Sequence, residues 1–177
     1  MVDETLIDTS LLLEPFGPHR KDGENYKEKA LTIIRYAKVG FVKCTSISVL
    51  GELNLILNRE ENNQVGRATQ NQKMKDLLDD FCKNCKILPL KKEAIDLAHE
   101  ILEEDNRLDP MDVLHFSTAI CEKCSGFMFM DGEMQTNKIL RRIAKQHNLK
   151  LIPFNANPEN KDKGKKCRDL ICLQGSH

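Results

Sequence analysis

The chain has 177 residues, with 27 Lys+Arg against 27 Asp+Glu, 40% hydrophobic residues and no Trp. That length suits one domain with a sizeable core, and the composition excludes collagenous, low-complexity and disulfide-stapled classes. Net charge is zero but unevenly spread: residues 1–137 hold 17 basic and 24 acidic side chains, residues 138–177 hold 10 and 3, a polarity suited to steering a polyanion toward an acidic, metal-charged centre.

In chain order, Thr5 to Asp8 reads as a short buried strand, followed by the hydroxyls of Thr9 and Ser10. Leu11 to Leu13 start a helix, and Glu14 to Asn25, with Pro15, Gly17, Pro18 and Gly23, form a polar loop. Tyr26 to Lys38 has apolar residues at helical spacing. Phe41 to Cys44 is a second strand, and Ser46 or Ser48 caps a helix that runs to about Arg59. Asn63 to Cys85 gives one or two amphipathic helices. Ile87 to Leu90 is a third strand, placed at a sheet edge by Pro89. Helices follow at Glu93–Glu104 and from Asp109 to about Cys124; Asp109 supplies the cap and Pro110 the first helical position. Gly126 to Met130 is a continuous apolar strand, Glu133 to His147 a basic helix and Leu149 to Phe154 the last strand. Cys167 to Leu173 forms a short docking helix, and Gly175-Ser176-His177 looks like the start of an affinity tag.

Strands alternating with helices predict an α/β fold, with a parallel sheet covered on both faces and a ligand site at the carboxyl ends of its strands. Four solitary acids stand out against that pattern. Asp8 is the only charged side chain between Glu4 and Glu14, Glu52 between Lys43 and Arg59, and Asp131 between Lys123 and Glu133. Asp112 lies in the first turn of a helix that is then apolar or small until Glu122. Singly, each suits a cap or a turn; together they predict one acidic cluster that a bound cation makes tolerable. Hard oxygen ligands select Mg²⁺ or Mn²⁺. His115, one turn beyond Asp112, reads as a core histidine bonded to backbone rather than a general base. Arg141, Arg142 and Lys145, on the basic helix, are candidates for phosphate contacts.

Leu6-Ile7-Asp8-Thr9-Ser10, the lone Glu52, Asp112-Val113-Leu114-His115-Phe116-Ser117-Thr118-Ala119 and Phe129-Met130-Asp131 resemble the ordered motifs of the PIN domain. The toxin ribonucleases of toxin–antitoxin pairs are the nearest variety. The resemblance covers about residues 4 to 155 and implies a three-layer α/β/α sandwich around a five-stranded parallel sheet in the order 3-2-1-4-5. It divides the chain into a nuclease domain at 1–157 and a basic tail at 158–177. It implies a metal-dependent endoribonuclease acting on RNA, often a homodimer, with an antitoxin as protein partner. Asp8, Glu52, Asp112 and Asp131 would surround Mg²⁺ or Mn²⁺, Ser10 would help order the site, and Asn137 would orient the fourth acid or a water.

Alternatives remain open at this point. One is a PIN-like module that binds RNA or protein without cutting; another is an RNA-processing nuclease unrelated to toxins. A phosphotransferase built on Asp8 lacks the second acid, because Ser10 stands there. Cys82-x-x-Cys85 and Cys121-x-x-Cys124 have the spacing of a zinc site, but the implied sheet order sets the strands after them three positions apart. No apolar run nears the ~20 residues of a bilayer span, and Asp3 and Glu4 do not suit a signal peptide. A cytoplasmic location with reduced cysteines is expected, without membrane contact.

Overall fold

The computed structural model describes residues 3–16, 26–35, 41–61 and 68–154. The basic tail, the short helix expected at Cys167–Leu173 and the greater part of the loop before Tyr26 lie outside the described residues.

Five parallel strands form one sheet: β1 (Glu4–Ile7), β2 (Val42–Ser46), β3 (Lys86–Leu88), β4 (Gly126–Phe129) and β5 (Lys150–Pro153). Their order is β3-β2-β1-β4-β5, as expected. The connections carry α1 (Thr9–Leu13), a 3-10 turn (Glu14–Phe16), α2 (Tyr26–Arg35), α3 (Ile47–Glu61), α4 (Ala68–Lys83), α5 (Lys92–Glu104), α6 (Pro110–Cys121), α7 (Gly132–Thr136) and α8 (Lys138–Gln146). Parallel crossovers are right-handed. Steps from β1 toward β3 therefore put their helices on one face, and steps toward β5 put theirs on the other. The packing agrees: α2 meets α1 and α4, while α5 meets α6 and α8.

The direction of strand order reverses at β1, the usual place for a ligand crevice in such sheets. β1 and β4, its neighbour there, are the dry centre. Thr5, Leu6, Ile7 and all four residues of β4 are buried. Phe127 and Phe129, two residues apart on one face, stack at 5.4 Å between centroids. Phe116 of α6 meets Phe127 edge-on at 6.0 Å. This aromatic contact seats α6 against β4. At the other end of the sandwich, α6 and α8 turn into their strands through left-handed residues, Lys123 (φ 57°) and Asn148 (φ 55°). The next amides, of Cys124 and Leu149, bond back to Ala119 O and Ala144 O at 2.9 and 2.8 Å, the Schellman pattern.

Two local readings change. The basic helix expected from Glu133 to His147 is two helices, α7 and α8, because Asn137 leaves helical geometry (φ −63°, ψ 124°). Its side chain takes the amides of Ile139 and Leu140, making it the cap of α8. The third strand stops at Leu88, before Pro89, and is the sheet edge that Pro89 suggested.

Gly126 marks the closest approach within the sheet. A Cβ there would lie 2.8 Å from Thr5 Oγ1 and 2.9 Å from Ile152 Cδ1. Gly126→Ala is therefore expected to destabilise the fold by about 1–3 kcal/mol, even though it restricts the unfolded chain. Urea unfolding monitored by circular dichroism checks this; an unchanged or raised midpoint would contradict it.

Candidate metal centre

Asp8 leaves the end of β1 with its backbone amide bonded to Met128 O at 2.9 Å, which pins it to β4. It caps α1: Oδ2 accepts from the Ser10 amide at 3.2 Å and from Ser10 Oγ at 2.6 Å. Ser10 Oγ in turn accepts from the Met130 amide at 3.1 Å. Ser10 thus ties the carboxylate after β1 to the backbone leading into Asp131. The other oxygen of Asp8, Oδ1, lies 2.8 Å from His115 Nδ1. Both Asp8 and His115 are fully buried.

The remaining acids come from three helix beginnings or flanks. Asp112 sits in the first turn of α6, beneath a cap in which Asp109 Oδ1 accepts from the amides of Met111 and Asp112. Asp131 caps α7 and accepts from the Met134 amide at 2.8 Å. Glu52, on α3, accepts from Thr9 Oγ1 at 2.5 Å, and its Oε2 lies 3.8 Å from His115 Nε2. Carboxylate oxygens of Asp8 and Asp112 and a ring nitrogen of His115 all lie within 4.8 Å of one another.

The electrostatics match that crowding. Burial, followed by the charges of Asp8, Asp109 and Asp131, pushes the Asp112 carboxyl up to about 7. So Asp112 feels both strand-end acids, and His115 links Asp8 to Glu52. Asp8 and Asp112 thus gather with His115 at the carboxyl end of β1, Glu52 approaches the same ring, and the charge of Asp131 reaches Asp112.

His115 departs from expectation. It is buried, but its partner is the Asp8 carboxylate and not backbone. A neutral ring that donates from Nδ1 keeps a lone pair on Nε2. That atom is buried without a hydrogen-bond partner. An orphaned buried nitrogen beside clustered carboxylates fits a cation or its water in the gap. The donor set, mainly carboxylate oxygen, suits a divalent cation.

Other candidates lie elsewhere. Asn137 does not orient Asp131: its Oδ1 caps α8 and its Nδ2 donates to Asp105 Oδ2 at 3.0 Å. Arg141 donates from Nε to Gln135 O, Arg142 pairs with Glu104 at 2.6 Å, and Lys145 is exposed. Among the described contacts none ties these three cations to the acids. Sequence reading passed over Asp105 and Arg107, whose ion pair borders Asn137; only their two-residue spacing hinted at it. The described cysteines form no metal group either. Among the described residues, the one set of three potential ligands within reach of a single ion is Asp8, Asp112 and His115. No helix among them is long and apolar enough to cross a membrane.

A PIN domain profile matches residues 5–138, about three quarters of the chain and all four acids. The chain belongs to the PIN domain family. Solved structures agree on the fold. VapBC2 from Rickettsia felis, bound to a DNA fragment from its promoter, is similar with a TM-score of 0.56 at 15% identity, covering 86% of this chain and 99% of that one. VapC20 from Mycobacterium tuberculosis, a sarcin–ricin loop cleaving toxin, gives 0.51 at 18% identity over 74% and 92%. FitAcB from Neisseria gonorrhoeae gives 0.52 at 13% identity over 88% and 99%. No curated protein matches the chain significantly.

In this PIN domain the raised carboxyl of Asp112 has a measurable consequence. Its folded value of about 7 lies above the ordinary 3.8, so between these the folded state holds the proton more tightly than the unfolded chain. Its contribution is thus lost as pH rises through that window. Without divalent ions, wild type should lose stability relative to Asp112→Asn between pH 5 and pH 7 and track it above pH 8. Parallel urea titrations in chelator decide this; coincident pH profiles would contradict the raised value.

Proposed function

We propose that this PIN domain is a Mg²⁺- or Mn²⁺-dependent endoribonuclease. The observation that carries the proposal is the grouping of Asp8, Asp112 and His115, with Glu52 beside a His115 nitrogen that lacks a hydrogen-bond partner and Asp131 close enough to act on Asp112. Asp8 and Asp131 would be the principal ligands, and Asp112 and Glu52 would complete the set or hold its waters.

A divalent ion bound there would acidify a water and polarise a phosphate oxygen. The protein's own part is placement. Ser10 and His115 fix both oxygens of Asp8, so the carboxylate needs no reorganisation during the reaction. Thr9 fixes one oxygen of Glu52 and leaves the other for solvent or ligand. Asp112, half-protonated near neutral pH, releases its proton as the site acquires positive charge. Hydrolysis in line at phosphorus would leave a 3′-hydroxyl and a 5′-phosphate.

The likeness to VapC20 and to the FitAcB and VapBC2 structures supports a toxin-like role, with an antitoxin as the protein that holds the nuclease in check.

Purified protein should cleave RNA when Mn²⁺ or Mg²⁺ is added. Asp8→Asn should reduce the rate by at least about a hundredfold, the scale on which a pre-placed electrostatic group acts. The ion should raise the melting temperature of wild type and leave that of the variant unmoved. Cleavage that survives the substitution would reject the site; an ion-stabilised protein that binds RNA without cutting would turn the reading to a non-catalytic module.

A further inference from the structure

Beside the acids lies a second polar feature that the proposed chemistry does not use. The α5–α6 connection and the α7–α8 junction enclose a cleft of about 560 Å³, within the range of small-molecule sites. Asp105, Arg107, Leu108, Thr136, Asn137 and Lys138 are among its walls. Both walls are short extensions of the acidic centre. Leu108 directly precedes Asp109, the cap above Asp112. Thr136 ends the five-residue helix that Asp131 caps, a distance of about 7.5 Å along its axis.

Arg107 is mounted in an unusual way. Its side chain is 83% exposed, yet it is held by a carboxylate that is only 8% exposed. Nε donates to Asp105 Oδ1 at 2.8 Å and Nη2 to Oδ2 at 2.9 Å. Asp105 is itself braced by the Arg107 amide at 3.3 Å and by Asn137 Nδ2 at 3.0 Å. The fork spends one edge of the guanidinium on Asp105 and leaves the N–H groups of the other edge facing outward. A long exposed side chain ordinarily loses rotamer freedom on binding; here the fold has already restricted it. Charges on the lining cancel, with Arg107 and Lys138 against Asp105 and Glu133. Such a cleft offers a polyanion hydrogen-bond geometry rather than an attractive net field. Leu108 and Ile139 supply an apolar floor against which a base can rest.

We propose that this cleft is a nucleotide subsite for the RNA strand, in which the free edge of Arg107 holds a backbone phosphate next to the one being cut and Lys138 contacts the strand from the opposite wall. The proposal rests on the ribonuclease reading above and deepens it. Arg107 there is a positioning residue, remote from the reacting phosphorus.

The test is RNA binding in chelator, with Asp8→Asn protein to prevent cleavage, followed by anisotropy over a salt series. Adding Arg107→Ala should weaken binding by about 10- to 100-fold, the worth of a hydrogen bond to a charged group. The slope of log affinity against log salt should fall by about 0.7, one phosphate contact on a single strand. Lys138→Gln, an exposed change, should lower the same slope without altering the melting temperature. Arg107→Lys should not restore affinity, because an ammonium cannot fork onto Asp105 and still present a free edge. Affinity and slope unchanged in both Arg107→Ala and Lys138→Gln, with the Asp8→Asn parent binding RNA, would overturn the subsite alone. A parent that binds no RNA would overturn the ribonuclease reading beneath it.

Discussion

Asp8 is fully buried at the carboxyl end of the central strand, and Ser10 and His115 take up its two oxygens. Removing a carboxylate from water carries a penalty of several kcal/mol. Three charge-assisted bonds, each worth about 1.5–3 kcal/mol, are of comparable size. Those bonds offset the cost of burying the group. They also order much of its surroundings: α1 begins on its Oδ2, α6 is drawn in by His115, and the Met130 amide is held by the same serine that bonds the acid. The tethers to His115 and Met130 reach segments that carry Asp112 or lead into Asp131.

The second acid in the core lacks such support. Asp112 accepts no hydrogen bond among those described and is ringed by Asp8, Asp109 and Asp131. Two unit charges about 4.8 Å apart at an effective dielectric near 20 repel by roughly 3.5 kcal/mol. The fold thus supplies hydrogen bonds to both oxygens of Asp8 and, among those described, none to the carboxylate of Asp112.

Most of the fold was legible because its signals are local. Gly126 to Met130 is apolar throughout, as a strand buried on both faces must be, and Asp109-Pro110 is a helix start with a mechanism. The solitary acids were legible for the same reason: a lone charge ending an apolar element needs an explanation. What escaped depended on partners remote in sequence. His115 differs from a core histidine only through Asp8, 107 residues away. Lys43 of β2 is 1% exposed and donates to Ile34 O at 2.8 Å. It lies 5.4 Å from the Phe81 ring, and burial pushes its pKa down. No pattern in the sequence announces that a helix end and a ring will gather at that spot.

Asn137 shows how a mistaken role can point to a real feature. An Asn six residues after the last acid suggests a side chain reaching back to it. Instead the residue breaks one expected helix into two, and the break opens the cleft beside the acids. Its carbonyl oxygen serves α8 and its amide serves Asp105, so capping and mounting Arg107 are done by opposite ends of one group. An uninterrupted helix from Glu133 to His147 would give Asn137 helical backbone and a side chain no longer needed as a cap. The interruption and the exposed guanidinium are in that sense one structural decision, made at the residue that joins α7 to α8.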